Sequence, residues 1–191
     1  VGAYNTMRAF GIKYELFSLA KAEKLGSKQD LIARLQKPYM PPLKIALTGT
    51  GKVGMGAKEL LDDVGYKQVD IQSFLTKDFD EPVYVQLDVE DYYRRIDGKP
   101  ATKDDFIANP NDYESDFEKF SQVADIVMAG HFYKDGSTKI LTKEMLNAPL
   151  NQVKVIGDIS CDILGPIDST LRSSTIEEPF YGYYAREDKE V

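Results

Sequence analysis

Short apolar runs alternate with stretches of helical spacing along most of the chain. Five runs have the length of buried strands, and they lie at 43–48, 67–71, 82–87, 124–130 and 154–159. The second of these is the weakest in pattern. Helical spacing is found at 57–64, which ends at Gly65, and again at 142–146. Strands that alternate with helices predict an α/β fold, a doubly wound parallel sheet with helices on both faces.

The first 40 residues predict a helical segment that precedes this sheet. Its apolar face consists of residues at helical spacing, namely Ile12, Leu16, Leu19 and Ala20. Ser27 followed by Asp30 predicts the start of a second helix that runs to Leu35. Prolines between 38 and 42 then stop regular structure, because proline lacks an amide donor and fixes φ. We therefore assign 1–40 to a helical interdomain segment and 41–173 to the sheet domain.

Acidic and aromatic residues interleave over 88–122, between the third and fourth predicted strands. The stretch is too aromatic for a disordered acidic tail. We expect a folded, acidic helical excursion whose last helix spans Tyr113 to Gln122. It is longer than a simple crossover, which leaves open a contact with a neighbouring subunit in a homodimer.

Charge and composition restrict the partners of the chain. Its 191 residues carry a net charge of -7, which argues against nucleic acid or an anionic membrane as a partner. No apolar run approaches the roughly 20 residues of a membrane span, and there is no signal peptide. The single cysteine, Cys161, fits a reducing cytoplasm. Because the chain begins with Val1, we expect a fragment of a longer protein.

A glycine-rich turn, residues 49–54, follows the first predicted strand and precedes a helix. Gly49 permits a tight turn, Gly51 lets a pyrophosphate approach the backbone, and Gly54 lets the helix pack closely on the strand. The helix amides would then face the phosphates with the positive end of the dipole. This context favours a Rossmann-type dinucleotide site, although a glycine loop without a ligand remains the alternative. The lysine-serine pair of an ATP-binding P-loop is missing.

Asp70 stands near the position of the acid that binds the ribose hydroxyls in such sites, about 20 residues after the turn. A solvent-facing or helix-capping aspartate is an equal alternative, because the strand before it is poorly patterned. No basic residue is clearly placed for a 2′-phosphate, so NAD is preferred over NADP. Lys67 and Lys77 are near enough in sequence to keep NADP open.

The fourth predicted strand ends in Gly130 and His131, the only histidine of the chain. Ligands bind at the carboxyl ends of strands in doubly wound sheets. A lone histidine is commonly structural, but this position favours a proton relay or a substrate contact, since histidine titrates near neutral pH.

Polar residues also follow the fifth predicted strand, where alternation points Asp158, Ser160 and Asp162 to one side. Two carboxylates at a buried strand end are costly unless each is paired, and an amino-acid ammonium group would satisfy one. The alternative is a loop of capping residues. A metal site is disfavoured because no second histidine or cysteine is present. Cys161 has no base partner that would make it a nucleophile, and its side chain is as consistent with a place in the core.

Several segments resemble saccharopine dehydrogenase and its lysine-ketoglutarate reductase relatives, within the alanine dehydrogenase and transhydrogenase superfamily. The similarity covers nearly the whole chain, and its aspartate-rich part is more specific than the glycine turn. The leading segment resembles a long helix that crosses between two domains in that family. The segments are 2–8, 44–56, 130–132, 158–163 and 179–183.

The resemblance implies a longer enzyme in which an N-terminal domain precedes Val1 and supplies a lysine and histidine acid/base pair. The substrate would lie between the two domains, and residues 174–191 would return to the first. Asp162 is then expected to contact the amino-acid substrate, and His131 to shape the nicotinamide pocket as the second catalytic residue. The residues expected to bind the cofactor are Gly49, Gly51, Lys52, Val53, Gly54, Asp70, Gly130, Asp158 and Ile159.

The implied reaction is hydride transfer between NAD(H), or NADP(H), and the carbon-nitrogen centre of an amino acid or imine. Saccharopine, lysine and 2-oxoglutarate are the implied substrates and products. A non-catalytic dinucleotide-binding or assembly module is the main alternative. A methyltransferase is a weaker one, because that fold also uses a glycine turn.

Overall fold

The computed structural model describes residues 1–133 and 136–191. Its helices are α1 (Gly2–Lys13), α2 (Lys28–Leu35), α3 (Lys52–Val64), α4 (Ile71–Thr76), α5 (Val89–Tyr92), α6 (Lys103–Ala108), α7 (Glu118–Ser121) and α8 (Lys143–Asn147). Its strands are β1 (Lys44–Thr48), β2 (Lys67–Gln68), β3 (Val83–Leu87), β4 (Tyr93–Arg95), β5 (Tyr113–Ser115), β6 (Ile126–Ala129), β7 (Val155–Asp158), β8 (Tyr183–Tyr184) and β9 (Lys189–Glu190). Short 3₁₀ turns occur at Ala22–Lys24 and Pro110–Asp112.

The central sheet contains five parallel strands of the described chain, in the order β2-β3-β1-β6-β7. β1 lies in the middle, where Ile45 pairs with Tyr84 on one side and with Ile126 on the other. The predicted α/β fold with a Rossmann-type parallel sheet is confirmed.

Side-chain alternation along the strands divides the core into two layers. Ile45 and Leu47 point to the face covered by α1, α2 and α3. Ala46 points to the opposite face, where Phe74 of α4 and Phe120 of α7 are completely buried. Because both faces are covered, the strands are apolar on both sides, as buried parallel strands require.

The first predicted helix ends early, because α1 stops at Lys13 and the helical spacing of Leu16, Leu19 and Ala20 does not continue it, whereas the second helix begins after Ser27 as predicted. After α1 the backbone turns at Glu15, which has a φ of 53°, and regular α-helix resumes only at α2. Two side chains of α1 hydrogen-bond to the irregular stretch: the Tyr4 hydroxyl donates to the carbonyl of Ala20, and Arg8 Nε donates to that of Leu19. These long-range bonds satisfy carbonyls that a continuous helix would satisfy locally.

The acidic excursion contains a β-hairpin in addition to helices. The predicted helix over Tyr113 to Gln122 is wrong, because its first residues form β5, which pairs with β4 in antiparallel fashion. Only the short helix α7 remains of it. Pairing in this hairpin places Tyr93 and Tyr113 in the core, each at most 3% exposed.

Two further boundaries differ from the sequence pattern. The helix after the glycine turn begins five residues earlier than predicted, at Lys52, and ends as expected at Gly65, whose φ is 99°. The last residues form the small hairpin β8-β9. Phe180, just before this hairpin, packs under the guanidinium of Arg8, 5.3 Å from its ring centre. No helix within the described residues combines the length and apolar character that a bilayer crossing needs.

Candidate functional site

The order of the strands creates a crevice at the carboxyl ends of β1 and β6. The chain leaves β1 toward β2, on one side of the sheet, and leaves β6 toward β7, on the other. Ligands of open α/β sheets bind where neighbouring connections diverge in this way. The glycine turn follows β1, and Gly130 with His131 follows β6, so the structure brings these two predicted segments together.

Three glycines of this crevice pack backbone against backbone. A Cβ on Gly49, whose φ is 96°, would lie 2.5 Å from the carbonyl oxygen of Gly130. A Cβ on Gly54 would overlap the carbonyl oxygen of Gly49, and one on Gly130 would lie 3.0 Å from the amide nitrogen of Gly54. Gly49 and Gly54 therefore leave no room for a side chain, and Gly130 lies in tight contact with the backbone of Gly54 and Thr48. Gly51 differs, because a Cβ there would meet no atom within 4 Å.

The amino end of α3 opens directly from the glycine turn. Gly51 is its N-cap, and no side chain caps the helix or adds an acid to its first turn. Lys52 and Val53 in that turn are exposed. The unpaired amides and the positive end of the helix dipole make this end suitable for an anion.

His131 is buried beneath the crevice, with 5% of its surface exposed. A 2.6 Å hydrogen bond joins its Nδ1 to the hydroxyl of Thr48, and Tyr92 packs beside the ring. Its Nε2 is buried without a hydrogen-bond partner among the described residues. Burial lowers the pKa of His131 to about 4, although Asp158 acts in the opposite direction. Its burial and its pKa, far below neutral, do not favour a proton relay to solvent.

Asp158 lies at the end of β7, paired in register with Ala129 of β6. Its carboxylate accepts hydrogen bonds from the Ser160 hydroxyl at 2.6 Å, the Cys161 amide at 3.0 Å and the Thr170 hydroxyl at 2.6 Å. These bonds close the loop that follows the strand, as the capping alternative predicted.

The loop after β7 does not continue the alternation of the strand. Cys161 and Leu164 adopt positive φ values of 51° and 55°, so the chain curls and places Cys161 and Asp162 in solvent. Cys161 is thus exposed and does not lie in the core. Ile159 turns the other way and packs with the core layer of α1. The expected contacts of Asp162 with substrate and of Asp158 and Ile159 with cofactor stay predictions.

Asp70 caps α4 at the edge of the sheet. Its carboxylate accepts the backbone amide of Ser73 at 2.9 Å, and this bond holds the pKa of Asp70 below its ordinary value. Since β3 lies between β2 and β1, Asp70 is two strands from the glycine turn. The capping alternative describes its position, and ribose binding by Asp70 stays a prediction.

Asp88 lies closer to the glycine turn than Asp70 does, although the sequence pattern did not single it out as a site residue. It follows β3, the strand that pairs directly with β1, and its carboxylate accepts a 2.6 Å hydrogen bond from Thr50 in the glycine turn. One signal in the sequence favoured Asp88: it follows the run at 82–87, whose strand pattern is clearer than that of the run at 67–71, which contains Asp70. The strand order itself is not visible in the sequence.

Exposed apolar side chains occur in the segments that follow β1, β6 and β7. Phe132 beside His131 is 69% exposed, and Val53, Ile163 and Leu164 are also exposed. Exposed apolar side chains at the carboxyl ends of the strands of such a sheet are consistent with a surface that contacts a ligand or partner. Within the described residues, no group of three or more His, Cys, Asp or Glu side chains is arranged to hold a metal ion.

The parallel sheet and the glycine turn at its point of divergence define a Rossmann-like α/β protein. The chain is similar to the alpha-aminoadipic semialdehyde synthase of Arabidopsis thaliana, with 23% identity over 192 residues. The match covers 89% of this chain but 18% of the length of that relative. No family model matches the chain.

Proposed function

We propose that this chain binds a nicotinamide dinucleotide and is the cofactor domain of an amino-acid dehydrogenase of the saccharopine dehydrogenase type. The reaction is hydride transfer at the carbon-nitrogen centre of an amino acid or imine in lysine metabolism. The strand order, the glycine turn and the resemblance of five segments support this proposal. The similarity to a protein named for aminoadipic semialdehyde, an amino-acid aldehyde, agrees with it.

The open space at Gly51 carries the proposal. Gly49, Gly54 and Gly130 are explained by packing within the chain, but nothing in the described chain occupies the position of a Gly51 side chain. Gly51 differs from other open glycines because it is the N-cap of α3 in the turn after β1, where a ligand would approach the backbone and the uncapped helix end suits the charge of a pyrophosphate. The residues present therefore fit a dinucleotide.

The roles of the remaining residues follow from their positions. The amides of Lys52 and Val53 would bind the pyrophosphate, and Gly130 would border the nicotinamide ring. Neutral His131 would hold the crevice floor through Thr48, and exposed Asp162 would bind the substrate ammonium group. The bound cofactor supplies the hydride chemistry, while the protein orients it and controls the charge nearby.

The test is a titration of NADH and NADPH fluorescence with the 191-residue chain and two glycine variants. Gly51→Ala should weaken binding at least about tenfold, because its methyl group occupies the space needed by the phosphates. The thermal unfolding temperature should not fall. Gly56→Ala is the matched control, since Gly56 lies in the helix that Gly51 caps, has equally open surroundings, and its variant should bind as the natural chain does. Equal binding by both variants, or no binding at millimolar dinucleotide, would contradict the proposal.

One observation favours a non-catalytic dinucleotide-binding module. His131, the only histidine, is buried, and burial lowers its pKa to about 4, so it is a weak general base near neutral pH. An assay with lysine, 2-oxoglutarate and NADPH separates the two functions. Turnover by this chain would exclude the non-catalytic module, and binding without turnover would favour it for the chain alone.

A further inference from the structure

Asp88 and Lys103 form an ion pair beside the glycine turn. Thr48 of β1 pairs with Leu87 of β3, and the amide of Gly49 donates to the carbonyl of Leu87 at 2.8 Å. This register places Asp88 next to the turn, at the strand end where Rossmann-type sites contact the adenosine ribose.

Lys103 comes to this position from the acidic excursion, at the first turn of α6. Its ammonium nitrogen lies 3.3 Å from a carboxylate oxygen of Asp88 and 3.2 Å from the hydroxyl of Thr50. Its backbone amide is anchored on the carboxylate of Glu90, at 3.1 Å. The side chain remains 44% exposed, so the cation can be reached by a ligand in the crevice.

The oxygens of Asp88 are already engaged within the chain. One accepts the Thr50 hydroxyl, the other accepts the amide of Val89 at 2.8 Å, and Lys103 contacts both. Partial burial raises the pKa of Asp88, but these hydrogen bonds outweigh burial and the pKa lies below its ordinary value. The carboxylate is therefore ionised, compensated by a cation, and occupied where a ribose hydroxyl would donate.

The two lysines near Asp70 in the sequence are Lys67 and Lys77. Both lie toward the amino ends of the strands, away from Asp88. Lys67 pairs with Val83, the first residue of β3, and is about 16 Å along the strand from Asp88 at 3.3 Å per residue. Lys77 follows α4, and the carbonyl of Phe74 in that helix accepts from Lys44 at the start of β1. Neither lysine is near the carboxyl ends of the strands.

We propose that Lys103 binds the 2′-phosphate of the adenosine ribose and makes this chain select NADP(H) over NAD(H). An unpaired carboxylate would repel that phosphate, but the charge of Asp88 is compensated by Lys103. The side chain of Lys103 is 44% exposed, so its ammonium group can also contact the phosphate. The inference rests on the proposed dinucleotide site. It departs from the preference for NAD drawn from the sequence, which assumed that no basic residue was placed for the phosphate.

The experiment compares the NADPH and NADH affinities of the natural chain, Lys103→Gln and Lys67→Gln by calorimetry. Lys103→Gln should weaken NADPH binding about tenfold, the effect of one hydrogen bond between charged groups, and change NADH binding less than about twofold. Lys67→Gln removes the same charge at the amino end of the strands and should change neither the NADPH affinity nor the NADH affinity. Lys103→Arg should retain the preference for NADPH, because it keeps the cation.

Ionic strength provides a second readout. The preference of the natural chain for NADPH should shrink as salt is raised, while Lys103→Gln should show the same salt dependence for both dinucleotides. Circular dichroism at each stage establishes that the variants are folded.

The outcomes separate this inference from the proposed function. If NADH and NADPH bind equally, or if Lys103→Gln weakens both to the same extent, Lys103 does not select the phosphate and the dinucleotide site stands. If neither dinucleotide binds the natural chain at millimolar concentration, the proposed function fails, and the assignment of Lys103 fails with it.

Discussion

His131 lies below the surface of the crevice, where Thr48 holds one ring nitrogen and the other has no partner among the described residues. The sequence placed this residue correctly at the end of a strand, but burial decides its chemistry. A proton on the imidazole would be a buried charge, so the folded chain favours the neutral ring.

This burial predicts a loss of stability in mild acid. The unfolded chain binds a proton at His131 below about pH 6.5, whereas the folded chain binds it only below about 4. Stability is therefore unaffected by His131 above pH 6.5 and falls as the pH drops toward 4. Urea unfolding at pH 7.5 and 4.5 should show the natural chain losing about 2 to 3 kcal/mol more than His131→Gln. Equal losses would contradict the predicted burial.

Adding one methyl group should have opposite effects on the unfolding free energy at two glycines of α3, Gly54 and Gly56. Gly54→Ala should destabilise the chain by roughly 1–3 kcal/mol, because the new Cβ would overlap the backbone of Gly49. Gly56→Ala should stabilise it by about 0.5–1 kcal/mol, because open surroundings leave only the gain in helix propensity. Chemical unfolding of the two variants measures both effects. If the Gly54 variant is as stable as the natural chain, the close contact of turn and helix is wrong.

Among the elements, the acidic excursion shows the greatest difference between local pattern and structure. Its aromatic residues are part of the same core as the sheet, and Phe106 of α6 stacks on Tyr93 with ring centres 4.5 Å apart. Tyr113 packs edge-on against Phe106, with ring centres 5.3 Å apart. These contacts join β4, β5 and α6, and they position Lys103 at the start of α6.

If the acidic excursion is part of the core, removing the Phe106 side chain should strongly lower the free energy of unfolding. Phe106 is 2% exposed, and Phe106→Ala should lower the unfolding free energy by about 3–5 kcal/mol. The control is Ile96→Ala in the same excursion, which is 65% exposed and should cost less than about 0.5 kcal/mol. Urea denaturation measures both variants. A small effect at Phe106 would mean that the excursion does not belong to the core.

At the scale of the whole molecule, a ligand at the crevice would bind to several elements at once. The crevice joins the ends of β1, β3 and β6 to the start of α3, and these elements belong to both core layers. Unfolding of either layer would destroy the site, so binding and stability are linked.

This linkage predicts that NADPH raises the unfolding temperature of the chain. At a hundred times the dissociation constant, a ligand of the folded state adds about 2.7 kcal/mol, which corresponds to roughly 5–10 °C for a chain of this size. Differential scanning fluorimetry measures the shift. Gly51→Ala at the same NADPH concentration is the control and should show about half the shift or less, because tenfold weaker binding adds only about 1.4 kcal/mol. No shift in the natural chain at saturation would contradict binding to the folded state.

The sequence by itself determined the strands β1, β3, β6 and β7, the cap of α2 at Ser27, the glycine turn and the α/β class of fold. Each of these depends on residues that are close in sequence, where hydrophobic alternation and capping chemistry act directly. The tertiary structure alone decided that β3 lies between β2 and β1, that His131 is buried, and that Lys103 meets Asp88. These features depend on packing between distant segments, and no local pattern records which of them become neighbours.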